Sequence, residues 1–393
     1  MAAVSVPASA SEADVCDVGA FFVRRGVVGA TPEAELSSVV PGGNASLLAV
    51  SCRYGTTFFA DGRGVHAGRT RAIVEAGMAS DAVGDGEPLL AVGSATLTPM
   101  EVPVQHVALS PDEQTLAVCT QRAELHFFSA KALLEGGASP VSVSCFAADV
   151  RQVQWRPGEG HEGMYLVVLT SGELLAGSMG SQETDVLASG GVSAAAWSLC
   201  GGHVAYSTES VITVATLDRK EVGAAFKFDL ATCDEQPPRV DSLCWPGPSM
   251  LLVGTALMPE ADRWDTEEDE CPVWVASWEA GGTPSEIKLE RLSDVCLAND
   301  ALVAPPASGP YLHVAHLAPF GVTLVAHRKA IDEHVYLVRT APGDSALLEI
   351  DDDHLWFRVP MTQSGESDTI VGLAVDTTAE WLQVPHPTHP TDK

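Results

Sequence analysis

The chain has 393 residues, with 22 Lys and Arg against 52 Asp and Glu, a formal net charge of −30. Affinity for a phosphate backbone comes mainly from Lys and Arg, so this balance argues against direct nucleic-acid binding. No apolar run approaches the length of a membrane span, so no membrane insertion is expected. Residues 1–10 lack the basic and long apolar parts of a secretory signal.

In chain order, residues 1–16 read as a flexible N-terminus, and Asp17 to Arg25 reads as a strand entering a domain. A loop bearing Pro, Gly and Ser follows from Thr31 to Asn44. Ser46 to Ser51, Tyr54 to Phe59 and a third strand after Asp61-Gly62-Arg63-Gly64 predict a first four-stranded unit, completed near Leu89 to Thr96. The second unit starts at Val104. There, Val107 and Leu109 alternate with smaller or polar neighbours, Ser110-Pro111-Asp112-Glu113 has turn chemistry, and Leu116 to Val118 is a short apolar strand. Glu124 to Phe128 adds another.

The same phrase returns at Val150 to Trp155, Val192 to Trp197 and Val240 to Trp245. Leu109, Trp155, Trp197 and Trp245 hold equivalent places, roughly 42 to 48 residues apart, which suits a four-stranded propeller blade. A lone meander cannot bury both faces, but blades around an axis bury one another. A large aromatic ending the innermost strand is expected to wedge between blades. A sixth unit uses Leu312 to Leu317, Gly321 to Val325, His334 to Val338 and an outer strand near Ala346 to Leu348. A seventh opens at Thr369 to Asp376 and runs short of strands. The expectation is an all-β, seven-bladed WD-like propeller over 17–384 with its last blade incomplete. The strand near Phe21 is a candidate to close the ring. The Pro-rich segment 385–393 is expected to be a disordered tail without a ladder.

Nine Cys stand singly, with no Cys-x-x-Cys pair, which favours a reducing compartment. His313 and His316 are three apart and fall on opposite faces of a strand, so no metal is expected there. Asp61 to Gly64 is a turn with no helix behind it, not a phosphate loop. No cofactor and no catalytic motif is expected.

The segments Leu47 to Gly55, Phe58 to Gly62 and Val102 to Ser110 resemble the opening blades of a nucleoporin propeller. The ordered set Val150 to Trp155, Val192 to Trp197, Val240 to Trp245 and Ile370 to Asp376 is similar to its later blades. The family is the N-terminal propeller of the cytoplasmic-face nucleoporin that recruits the DEAD-box helicase of mRNA export. The resemblance covers about residues 17 to 378. It implies a non-catalytic adaptor at the cytoplasmic face of the nuclear pore complex, with other nucleoporins and the helicase as partners. It also implies docking of the helicase through acidic inter-blade loops. The chain departs from the family in having no coiled coil and no phenylalanine-glycine repeats.

The candidate partner-binding residues are Glu349, Asp351, Asp352, Asp353, Trp356 and Arg358, extended by Glu366 and Asp368. Three adjacent Asp favour solvent, and Trp and Arg are enriched at protein interfaces. In the resembling family the loop between the sixth and seventh blades lies against the helicase. A second acidic run, Asp262 to Glu270, reads as an insertion in the fifth unit; neither run has the spacing of a calcium loop. An ordinary solvated loop remains the other reading of both runs. Two further functions stay open: a generic WD-like adaptor outside the pore, and a propeller hydrolase. The hydrolase needs acidic or His residues at inner-strand starts, where this chain has Val, Ala, Gln and Ser.

Overall fold

A computed structural model describes residues 31–32, 47–61, 64–73, 95–158, 160–161, 163–218, 221–230, 239–256, 270–279, 287–296, 312–317, 322–327, 334–339, 357–360, 374–375, 382–383 and 387–388. Among these, six four-stranded antiparallel meanders follow one another along the chain. The first is β2 (Leu48–Ser51), β3 (Thr56–Asp61), β4 (Gly64–Arg69) and β5 (Ala95–Pro99). The second is β6 (Val104–Leu109), β7 (Thr115–Thr120), β8 (Glu124–Ser129) and β9 (Ser142–Cys145), with a short helix α1 (Ala130–Leu134) before its outer strand. The third is β10 (Val150–Trp155), β11 (Met164–Leu169), β12 (Leu174–Ser178) and β13 (Thr184–Ala188). The fourth is β14 (Val192–Trp197), β15 (His203–Thr208), β16 (Val211–Asp218) and β17 (Glu221–Asp229). The fifth is β18 (Arg239–Gly247), β19 (Met250–Ala256), β20 (Glu270–Trp278) and β21 (Ile287–Cys296). The sixth is β22 (Leu312–Leu317), β23 (Val322–His327), β24 (His334–Arg339) and β25 (Phe357–Pro360).

Burial explains why strands such as Leu116-Ala117-Val118-Cys119 are apolar throughout. Successive side chains point to opposite faces of a strand. Leu116 and Val118 pack on Phe58 and Val65 of the first sheet. Ala117 and Cys119 pack on Tyr165 and Val167 of the third. Likewise Leu166 and Val168 reach the fourth sheet beside Trp197, and Ile212 and Val214 reach the fifth beside Trp245 and Trp274. The second, third and fourth sheets each lie between two others, so neither face carries the polar alternation of a half-exposed sheet.

The first strands of neighbouring sheets lie side by side in the order β2, β6, β10, β14, β18 and β22. A seventh short strand, β26 (Ala374–Val375), touches both β22 and β2 and closes the ring. Its partner is β27 (Leu382–Gln383). The architecture is all-β and propeller-like, and the described part of the seventh position has two strands.

Two sequence expectations are corrected. The outer strand of the sixth sheet is Phe357–Pro360, not the run near 346–348. In the segment expected to be a tail without a ladder, β28 (Pro387–Thr388) pairs in parallel with β1 (Thr31–Pro32). Pro lacks an N–H but keeps its carbonyl, so an edge pair this short tolerates it. The strand expected near Phe21 lies outside the described residues.

Candidate interaction surface

In a meander, the first-to-second and third-to-fourth connections share one end of the sheet. We call it the upper end, where the first strands finish. The remaining connections fall at the lower end. The β6–β7 and β14–β15 turns at the upper end are built alike. Ser110 accepts at its hydroxyl from the Thr115 N–H at 2.9 Å, and Ser198 accepts from the His203 N–H at 3.0 Å. Glu113 and Gly201 hold the same left-handed position, at φ 59° and 70°.

Neighbouring turns then lock together. The Glu113 carboxylate accepts from the Ser51 hydroxyl at 2.6 Å and the Arg53 N–H at 2.7 Å, tying the second sheet to the first. Arg156 takes the place of Ser110 and Ser198 in the third sheet and is buried. Its Nε donates to the Gly201 carbonyl at 2.8 Å and its NH2 to the Leu217 carbonyl at 2.9 Å, while the guanidinium lies over the Trp197 ring. The turns approach so closely that a Cβ on Gly158 would sit 2.8 Å from the Cys200 carbonyl oxygen.

The inner strands are joined by side chains in both directions. Trp155 Nε1 donates to the Ala108 carbonyl at 2.9 Å, and Trp245 Nε1 donates to the Ala196 carbonyl at 3.2 Å. Each indole thus reaches the penultimate residue of the preceding first strand, as expected for an aromatic wedge. In the other direction, His106 Nε2 donates to the Val150 carbonyl and Ser193 Oγ to the Val240 carbonyl. The Gln152 carboxamide donates to the Ala195 carbonyl at 2.9 Å and accepts from the Ala195 N–H at 3.2 Å. Gln154 accepts from the Trp197 N–H at 3.3 Å. The two Gln take the place of a neighbouring strand for the Ala195 and Trp197 backbone groups of β14.

A repeated irregularity accompanies these contacts. Each first strand from the second to the fifth sheet carries a bulge at its second position or the equivalent, at Gln105, Arg151, Ser193 and Asp241. An extra residue bends a strand and re-aims side chains. Sequence reading missed this row and the buried Arg156. The alternation Gln152-Val153-Gln154-Trp155 was the available signal for the two Gln.

At the upper end of the axis is a cavity of about 440 Å³, walled by Leu109, Pro111, Val153, Trp155, Pro157 and Trp197, with Gln154 among its polar groups. Beyond its rim, Leu199 is 52 % exposed and the Cys200 thiol is exposed. The Ser198 hydroxyl and then the Gly202 N–H hold that thiol below the ordinary range.

The sequence-predicted contact residues divide around β25. Arg358 is on that strand and pairs with Tyr336. Glu349, Asp351, Asp352, Asp353 and Trp356 belong to the connection 340–356, which leaves β24 and enters β25. Glu366 and Asp368 belong to the connection 361–373, which leaves the other end of β25. Both connections lie outside the described residues. The acidic run therefore precedes the last strand of the sixth sheet, instead of following the sheet as expected. The two groups are anchored at opposite ends of β25. The second acidic run falls in the connection between β19 and β20, as read from sequence, and is outside the described residues apart from Glu270.

Comparison with known proteins places these observations. The family model described as the NUP159/214 beta propeller matches residues 41–317. A crystal structure of the N-terminal domain of Nup159 aligns with TM-score 0.61 at 15 % identity, covering 90 % of this chain and 89 % of that one. A structure of an S. cerevisiae Dbp5 variant bound to Nup159, a Gle1 variant, IP6 and ADP gives TM-score 0.61 at 14 % identity, with the same coverage. The WD40 domain of Toxoplasma gondii coronin gives 0.54 at 12 %, covering 89 % of this chain and 76 % of that one. At these identities the structural likenesses show the propeller fold alone. No curated protein matches the chain.

Proposed function

The chain belongs to the NUP159/214 β-propeller family, and from that premise we propose that it is an adaptor at the cytoplasmic face of the nuclear pore complex that docks the DEAD-box RNA helicase of mRNA export. The family match across 277 residues (41 through 317) carries the reading. Charge supports it: a net −30 attracts a basic protein surface and repels RNA. In this reading the partner-facing groups are Glu349, Asp351, Asp352, Asp353, Trp356 and Arg358, extended by Glu366 and Asp368 in the connection that leaves β25.

The domain performs no catalysis in this account. His106, Gln152 and Ser193 on the first strands are engaged in joining one inner strand to the next. A polar group held to a neighbouring backbone carbonyl is poorly placed to act on a substrate. The reading is tested by expressing the chain as a fluorescent fusion and co-purifying its partners. Signal at the nuclear rim and recovery of the helicase with other nucleoporins support it. Diffuse signal with neither partner contradicts it.

A further inference from the structure

The two ends of the axial channel differ in what their side chains already do. Further down the first strands, Gln152 and Ser193 spend their polar atoms on neighbouring strands, and so does His106 at the floor of the cavity described above. Toward the upper end the cavity of about 440 Å³ has aromatic, prolyl and aliphatic walls. That size falls in the range of about 300–1,000 Å³ common to ligand sites, which pair apolar walls with a few placed polar groups. Two polar side chains line the cavity: His106, whose Nε2 is committed to the Val150 carbonyl, and Gln154. The Gln154 Oε1 is held by the Trp197 N–H. This bond fixes the carboxamide plane, and among the described residues the NH2 donates to nothing.

We propose that this cavity seats one large apolar side chain of a basic linear peptide, with the Gln154 NH2 donating to a main-chain carbonyl of that peptide. Three observations select the occupant. The Trp155, Trp197 and Pro157 walls suit a Phe- or Leu-sized group. The free donor on Gln154 suits a carbonyl. The net charge of −30, with Asp112 and Glu113 next to Pro111 at the rim, selects Lys or Arg flanks over acidic ones. The proposal does not rest on the helicase reading, because the cavity contains none of the residues assigned to that contact.

The test is fluorescence anisotropy of the whole chain with a fluorescein-labelled peptide of one Phe flanked on each side by two Lys. Saturable binding is expected, weakened about tenfold or more when the peptide's Phe becomes Gly. Gln154→Leu weakens it severalfold and, because it also removes the acceptor of the Trp197 N–H, lowers the melting temperature as well. Val153→Trp, which fills the cavity, abolishes it. Equal affinity for the Phe and Gly peptides reduces the effect to charge and overturns the proposal. So does equal affinity for a peptide with Glu in place of Lys, or the absence of binding. Because the Phe-to-Gly comparison leaves the protein unaltered, a variant that misfolds does not decide the outcome. Loss of helicase binding in variants of the Asp351 run, with the peptide still bound, separates the two sites.

Discussion

Arg156 holds its guanidinium 5.0 Å from the centre of the Trp197 ring, across the boundary between the third and fourth sheets. The same side chain donates to the Gly201 and Leu217 carbonyls, so one buried cation fastens two strands and a turn of the neighbouring sheet. Arg156→Met keeps most of the volume and leaves both carbonyls without their donor. The expected loss is about 3 kcal/mol, since each orphaned buried acceptor costs roughly 1–3 kcal/mol. Urea unfolding measures it. Arg156→Lys restores little, because an ammonium cannot reproduce the planar fork.

Three Trp at equivalent places make different bonds. The indoles of Trp155 and Trp245 donate to the preceding strand, whereas the buried Nε1 of Trp197 has no acceptor among the described residues. Trp→Phe removes the donor while keeping an aromatic face. Trp155→Phe strands the Ala108 carbonyl and is expected to cost about 1–3 kcal/mol more than Trp197→Phe. Thermal melts of the two variants check the order.

The Cys200 thiol titrates below the ordinary thiol range, chiefly through its hydrogen bond with Ser198. A lowered value means the thiolate persists to lower pH. Alkylation of Cys200 by iodoacetamide should therefore reach half its plateau rate at a lower pH than an unperturbed cysteine does. Ser198→Ala removes the largest cause and should move that midpoint upward. Peptide mapping of the alkylated protein across pH gives the profile.

The repeat was legible because Trp155, Trp197 and Trp245 end strands of the same composition, and one physical demand, a wedge between sheets, recurs at that place. The sixth sheet was read less well. Ala346-Leu347-Leu348 and Phe357-Arg358-Val359 are both short apolar-rich runs, and periodicity alone does not decide which of them pairs. The choice shifts the acidic run from one side of the outer strand to the other. Arg156 was passed over because an Arg next to Pro and Gly reads as a solvated turn, and burial depends on a sheet more than forty residues away. The bulges at Gln105, Arg151, Ser193 and Asp241 leave no compositional mark.

The central claim is that the chain docks the export helicase through the acidic run entering β25. Single exposed charges are worth roughly 0.2–1 kcal/mol, so one Asp→Asn change should do little. Reversing Asp351, Asp352 and Asp353 to Lys adds repulsion and should slow association, most visibly at low salt. The most direct measurement is titration of purified helicase with the parent chain and the triple Lys variant at two salt concentrations. The account predicts weaker binding by the variant and an affinity for the parent that falls as salt rises. Equal affinities for the two, without salt dependence, would contradict it.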